Sequence, residues 1–226
     1  MRYSEFEEIM SVARMSRYTT ATASTKKAMT LYRLNLRLSQ ELFTVICCFE
    51  ICLRNAINKH NIAISGNDWL QNGATQGGCF DNIKCKFTCA NINDTIYKLN
   101  HNYTHSKLVA ELGFGFWRFM FAQNQYTATG KTLLKIFPLK PTSSPLIQYN
   151  NIYIFNQLSR INDIRNRIAH HEPICFIAGQ PVKDTIYVRQ HYTIIKELFQ
   201  WMNINESALL YGLDHVETIC NQIDAL

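Results

Sequence analysis

Apolar residues recur at intervals of three and four along most of the chain, the period of helices with one buried face. One stripe runs through Leu42, Val45, Ile46, Phe49, Leu53, Ala56 and Ile57, and another through Ile154, Leu158, Ile161, Ile164 and Ile168. A leading helix is predicted over residues 4–17, opened by a Ser4-x-x-Glu7 capping box. A longer helical stretch covers 24–60, with a break near Ser39, which can cap the second half with Glu41 in its first turn. Helices resume near Asn93 and over 106–122 and 127–136; residues 138–145, with their prolines and serines, form a connection. A helix over 149–170 follows, and from about Asp184 there are two or three more. Between 65 and 90 the period is lost among Gly, Asn, Gln and Cys, which predicts an irregular, loop-rich insertion with turns or short strands. The fold class is therefore all-α, a helical bundle. A single domain is expected over 1–226, with N-terminal helices in 1–38, a core in 39–175 and C-terminal helices in 176–226.

The middle of the chain reads as core. Leu108, Val109, Leu112, Phe116, Phe119 and Met120 fall at helical spacing, and Gly113 and Gly115 thin that helix where another backbone can approach. Trp117 and its aromatic neighbours bury large areas and need no ligand to explain them.

Composition narrows the class further. A chain of 226 residues with 47% hydrophobic content can bury one sizeable core and is not disordered. Its longest apolar run, near 42–53, is interrupted by Thr44 and Glu50 and is too short to span a bilayer. The N-terminal residues carry no signal-peptide hydrophobic region, so a cytoplasmic, membrane-free protein is expected. Reduced cysteines suit that compartment: Cys47, Cys48 and Cys52 lie on or beside an apolar helical face. Cys79, Cys85 and Cys89 cluster in the irregular stretch, but their spacing lacks the paired CxxC of strong zinc sites, and neither metal nor cofactor is expected. A net charge of +6 favours polyanions, yet no Lys/Arg run exceeds two residues. RNA binding would have to come from a folded surface on which Arg54, Lys59, Arg165 and Arg167 converge.

The chemistry concentrates in Arg165-Asn166-Arg167-Ile168-Ala169-His170-His171-Glu172-Pro173. A fixed cation, an amide and a titratable imidazole share the last turns of one helix, with Asn166 and His170 as i,i+4 neighbours. Pro173 stops the helix, so both histidines stand where it opens. The plainer reading is that cations at a helix C-terminus are favoured by the dipole alone. A second set, Glu50, Arg54, Asn55, Lys59 and His60, repeats the Arg-Asn pair followed by His. It is equally an amphipathic helix end in which Glu50 and Arg54 form an i,i+4 pair.

Three blocks carry a resemblance. Phe49-Glu50-x-x-Leu53-Arg54-Asn55-Ala56-Ile57, Leu112-Gly113-Phe114-Gly115-Phe116-Trp117 and Arg165-Asn166-x-x-x-His170-His171-Glu172-Pro173-Ile174 resemble, in this order, the Abi-like proteins of abortive infection, within the HEPN superfamily. The resemblance spans roughly residues 40 to 175. It implies a HEPN-like helical bundle and a metal-independent endoribonuclease of phage defence or of a toxin-like system. In that reaction the RNA 2′-hydroxyl attacks the adjacent phosphorus. His170 is then the general acid or base, with His171 as its substitute. Arg165 holds the phosphate oxygens, Asn166 orients the imidazole or the ribose, and Arg167 and Lys59 bind RNA. In-line displacement needs an acid and a base on opposite sides. The resemblance therefore implies a homodimer pairing two His170 motifs, or an internal pairing with the set around His60, together with RNA and an antitoxin or regulatory protein as partners. A non-catalytic module that binds RNA or protein is the alternative, and it has no need of His170.

Overall fold

The computed structural model describes residues 1–226 and contains twelve α-helices joined by turns and short 3₁₀ segments. There is no β-sheet; a single antiparallel bridge joins Phe176 to Lys183. The all-α expectation holds.

The leading helix is two helices, α1 (Tyr3–Met10) and α2 (Val12–Thr22). Ser11 divides them at φ 73°, and its hydroxyl accepts the Arg14 N–H to start α2. The capping expected from Ser4 and Glu7 is not used. Glu5 accepts the Arg2 N–H at 3.0 Å, and Glu7 accepts the Tyr3 hydroxyl at 2.7 Å.

Helix α3 (Thr25–Ser65) runs unbroken for 41 residues. The break expected at Ser39 is absent because Leu38 and Leu42, four positions apart, are both fully buried on the same face and carry the stripe across it. No Pro or Gly occurs within the helix, which stops at Gly66, φ 85°.

The chain forms two compact units. The first comprises residues 1–47, 163–197 and 206–226, and the second 48–162 and 198–205. In the first unit Phe6, Tyr32, Tyr18 and Phe176 make a chain of edge-on ring contacts with centroids 5.0–5.5 Å apart. In the second, Phe49 packs edge-on against Phe199 at 5.2 Å, and Trp117 is fully buried.

The turn-rich stretch at 65–90 is ordered by its own packing. Helix α4 (Trp69–Ala74) is followed by a tight turn in which Phe80 donates its N–H to Gly73 O at 2.8 Å and buries its ring. Gly78 is required there: a Cβ would lie 2.3 Å from Asn72 O. Helix α5 (Lys86–Leu99) begins inside this stretch.

The helix expected over 106–122 is broken into α6 (His105–Glu111) and α7 (Phe114–Phe119). Leu112 is extended there, and the Trp117 indole N–H donates to its carbonyl at 2.7 Å, satisfying the group the break sets free. Nothing lies within 4 Å of a Cβ built on Gly113 or Gly115, so neither glycine admits a neighbouring backbone. Phe119, expected in the core, is 42% exposed.

The expected 127–136 helix is likewise divided. Helix α8 (Gln123–Ala128) ends before Gly130 and Lys131, both left-handed at φ 81° and 59°, and a 3₁₀ turn covers Leu133–Ile136. The remaining helices are α9 (Asn151–Ala169), α10 (Ile186–Trp201), α11 (Glu206–Leu209) and α12 (Val216–Asp224). Most apolar residues of α10 are buried, among them Val188, Ile195, Leu198 and Phe199. That segment therefore offers little free apolar surface.

Candidate active site

Helix α9 buries Ile154, Leu158, Ile161 and Ile164 completely. The opposite register carries Asn166 and His170 to solvent and leaves Arg165 half-buried. The Arg165 guanidinium stands 6.0 Å from the centre of the Phe43 ring, and no carboxylate lies within ion-pair distance of it. Its one polar neighbour is Asn166 Oδ1 at 3.5 Å, a long and weak contact. The His170 ring makes no hydrogen bond within the chain.

The helix closes with a Schellman motif. His171 donates its N–H to Ile168 O and Glu172 donates to Arg167 O, both at 2.9 Å. His171 occupies the left-handed position at φ 57°, where glycine is usual. Several side chains hold this turn. Arg14 Nη1 donates to His171 O at 3.1 Å, and Arg167 Nη2 donates to Pro173 O at 2.8 Å. Arg167 also pairs with Glu172 at 3.2 Å and lies over the Tyr187 ring. Just beyond, Ile174 donates its N–H to the buried Asn35 Oδ1 at 2.9 Å. Arg167 is thus engaged within the chain, while Arg165 and His170 remain available. Arg14 and Asn35 lie 157 and 139 positions from the groups they hold, and no local pattern marks them.

An L-residue at positive φ is strained by about 1–2 kcal/mol, part of which glycine returns through its floppier unfolded chain. His171→Gly is therefore expected to raise stability by roughly 0.5–1 kcal/mol, seen as a melting point about 2 °C higher. A lower melting point would show that the imidazole itself stabilises the turn.

Glu50, Arg54, Asn55, Lys59 and His60 all lie on the part of α3 that belongs to the second unit. Arg54 Nη1 is directed to Ala110 O at 3.4 Å, and its buried Nε has no partner. Asn55, Lys59 and His60 line a pocket of about 510 Å³ with Cys52, Met202 and Ile204, and Arg54 does not. His60 Nε2 is 2.9 Å from Thr132 Oγ1. Burial, aided by Lys135, pushes its pKa below the ordinary 6.5. This imidazole is neutral at pH 7 and tied to its own unit.

His105 behaves similarly: Nε2 is 2.8 Å from Asn58 Oδ1, Nδ1 is buried without a partner, and burial lowers its pKa. The unfolded chain takes up these two protons near pH 6.5, the folded unit only at lower pH, so protonation favours unfolding. The contribution is complete above about pH 6.5 and is lost as pH falls below it. Urea midpoints at pH 7 and pH 5 measure the loss, which is expected to shrink in His105→Gln.

Cys85 is buried, Cys79 is exposed and Cys89 Sγ is 3.4 Å from Ala74 O; no three His, Cys, Asp or Glu side chains of the chain converge as a ligand set. No helix is long and apolar enough to cross a membrane.

The fold and site together define an all-helical protein that presents an Arg-Asn-x3-His turn, its histidine exposed and its arginine half-buried without a carboxylate, at the end of a helix whose other face is buried. The model of the family described as Abi-like protein matches residues 1–175, and the chain belongs to that family. The family takes its name from abortive infection, and membership points to a role in that defence. All three sequence blocks fall in the matched span. No curated protein and no solved structure matches the chain.

Proposed function

We propose that this Abi-like protein is an endoribonuclease of a HEPN-like kind, acting in abortive infection. The observation that carries the reading is the pairing, in the last turns of α9, of an exposed His170 without intrachain partner and an Arg165 without a carboxylate. Arg14 and Arg167, by contrast, are both engaged on backbone carbonyls of the same turn.

The chemistry asks little else of the protein. The ribose 2′-oxygen attacks phosphorus as a base takes its proton; the bond from phosphorus to the 5′-oxygen breaks as an acid protonates that oxygen. An imidazole can perform either transfer near neutral pH, and a planar guanidinium binds two nonbridging oxygens. Asn166 orients the imidazole or the ribose. Arg167 acts through the turn it closes, and Lys59, exposed on α3, contributes charge towards RNA.

The purified protein incubated with total RNA in EDTA tests this directly. Cleavage is expected to persist, leaving 2′,3′-cyclic phosphate or 3′-phosphate and 5′-hydroxyl ends, because proton transfer and charge stabilisation come from side chains. Dependence on magnesium with 3′-hydroxyl products would overturn the mechanism. RNA bound without any cleavage would favour a binding module instead.

A further inference from the structure

The Leu112–Trp117 block is not used by the α9 turn, and Gly115 within it lacks an ordinary structural reason. It sits in the first turn of helix α7, where glycine is less favourable than alanine. Its φ is not left-handed, and nothing lies within 4 Å of its Cβ position. What the missing side chain leaves open is part of a cleft of about 550 Å³ within the second unit, a volume typical of small-ligand sites.

The walls of this cleft have a specific chemistry. Phe87 and Phe119, 79% and 42% exposed, line it; the Phe119 ring is already packed against Phe155 and lies under Arg118, whereas Phe87 is the more open ring. Asn91 and Asn124 line it with carboxamides that have no hydrogen-bond partner in the chain. Gln125 is buried and fixed by its Nε2–H···Oγ1 bond to Thr88 at 2.9 Å, which leaves its amide oxygen without a donor. Lys84 stands at the edge, Lys86 lies 5.0 Å from the Phe87 ring centre, and no acidic residue lines the cleft. An exposed aromatic face, unengaged amides and unopposed cations match a flat heterocycle with polar edges on an anionic backbone. An apolar protein side chain would leave the three amides unsatisfied.

The geometry points to a binding site for an unpaired RNA base in this cleft, stacked on Phe87 and met at its edge by Asn91, Asn124 and Gln125. The assignment rests on the reading that RNA is the ligand of this protein. It adds a docking site on the second unit.

The test uses the full chain carrying His170→Ala, so that RNA stays intact, and a labelled single-stranded RNA of about ten nucleotides containing 2-aminopurine. Binding is expected to raise anisotropy and quench the 2-aminopurine. Phe87→Ala, on an exposed ring, is expected to weaken binding about tenfold, and Gly115→Leu, which fills the cleft, to abolish the quench; neither should lower the melting point. Unchanged affinity and quench in both variants would overturn the site, as would variants that keep RNA binding but lose a protein partner. Base binding that depends on the cleft, with RNA left uncut by the wild-type chain, would uphold the site and sink the nuclease reading. Absence of RNA binding altogether would end both.

Discussion

Replacing His170 by alanine is expected to reduce RNA cleavage by about 10²–10⁴-fold, the usual worth of a positioned acid or base, with Arg165→Ala costing a comparable 10²–10³. The fold should survive both changes. His170 is exposed with its ring unengaged, and Arg165 makes only a distant contact with Phe43 and a weak one with Asn166. Surface truncations of this kind stay within about 0.5 kcal/mol, so melting points should move by no more than about 2 °C. His60→Ala provides the contrast. Its imidazole is neutral at pH 7 and hydrogen-bonded to Thr132, so its loss should change cleavage by less than about threefold. A well-folded His170→Ala protein that cuts RNA like its parent would end the catalytic assignment.

A tenfold excess of the His170→Ala chain, mixed and re-equilibrated with wild-type chain, is expected to lower the cleavage given by a fixed amount of wild-type chain about tenfold. In-line displacement needs proton transfer on opposite sides of phosphorus, and the two exposed imidazoles of the α9 turn, His170 and His171, are chain neighbours at one helix end. If two chains each supply one His170, most wild-type chains in the mixture are paired with a defective partner. Equal mixtures of His170→Ala and Arg165→Ala should then be inactive as well, since every pairing lacks a complete half. The argument for a dimer is chemical, because α10 buries most of its apolar residues within the chain. A strictly monomeric protein whose activity ignores the added variant would refute the dimer and move the second proton transfer to His171.

Much of the fold was legible because periodicity is a local property. The stripes from Leu42 to Ile57 and from Ile154 to Ile168 are helical, the first at full burial at Leu42, Val45, Ile46, Phe49, Leu53 and Ile57. Where the reading failed, a tertiary demand overrode a local signal. Ser39 is a good cap residue, but burial of Leu38 and Leu42 on one face held α3 continuous. Leu112 and Phe119 fit a helical stripe, yet the helix breaks at Leu112, whose freed carbonyl accepts the Trp117 indole N–H, and the register beyond leaves Phe119 in the open. The breaks at Ser11 and Gly130–Lys131 are left-handed residues, and only the glycine announces itself in the sequence.

The candidate site divides in the same way. Sequence by itself determined that Arg165, Asn166 and His170 share the end of one helix: a helical period places them, and Pro173 requires the helix to stop nearby. It could not separate Arg165 from Arg167, or His170 from His60, since charge and spacing are alike in each pair. Only the tertiary structure distinguishes their surroundings, by giving Arg167 a carbonyl, a carboxylate and a ring, giving His60 a hydroxyl in a part-buried setting, and leaving Arg165 and His170 without such partners. The physical reason is that availability depends on which groups from distant parts of the chain arrive beside a side chain. Arg14 and Asn35 reach this turn from 157 and 139 positions away.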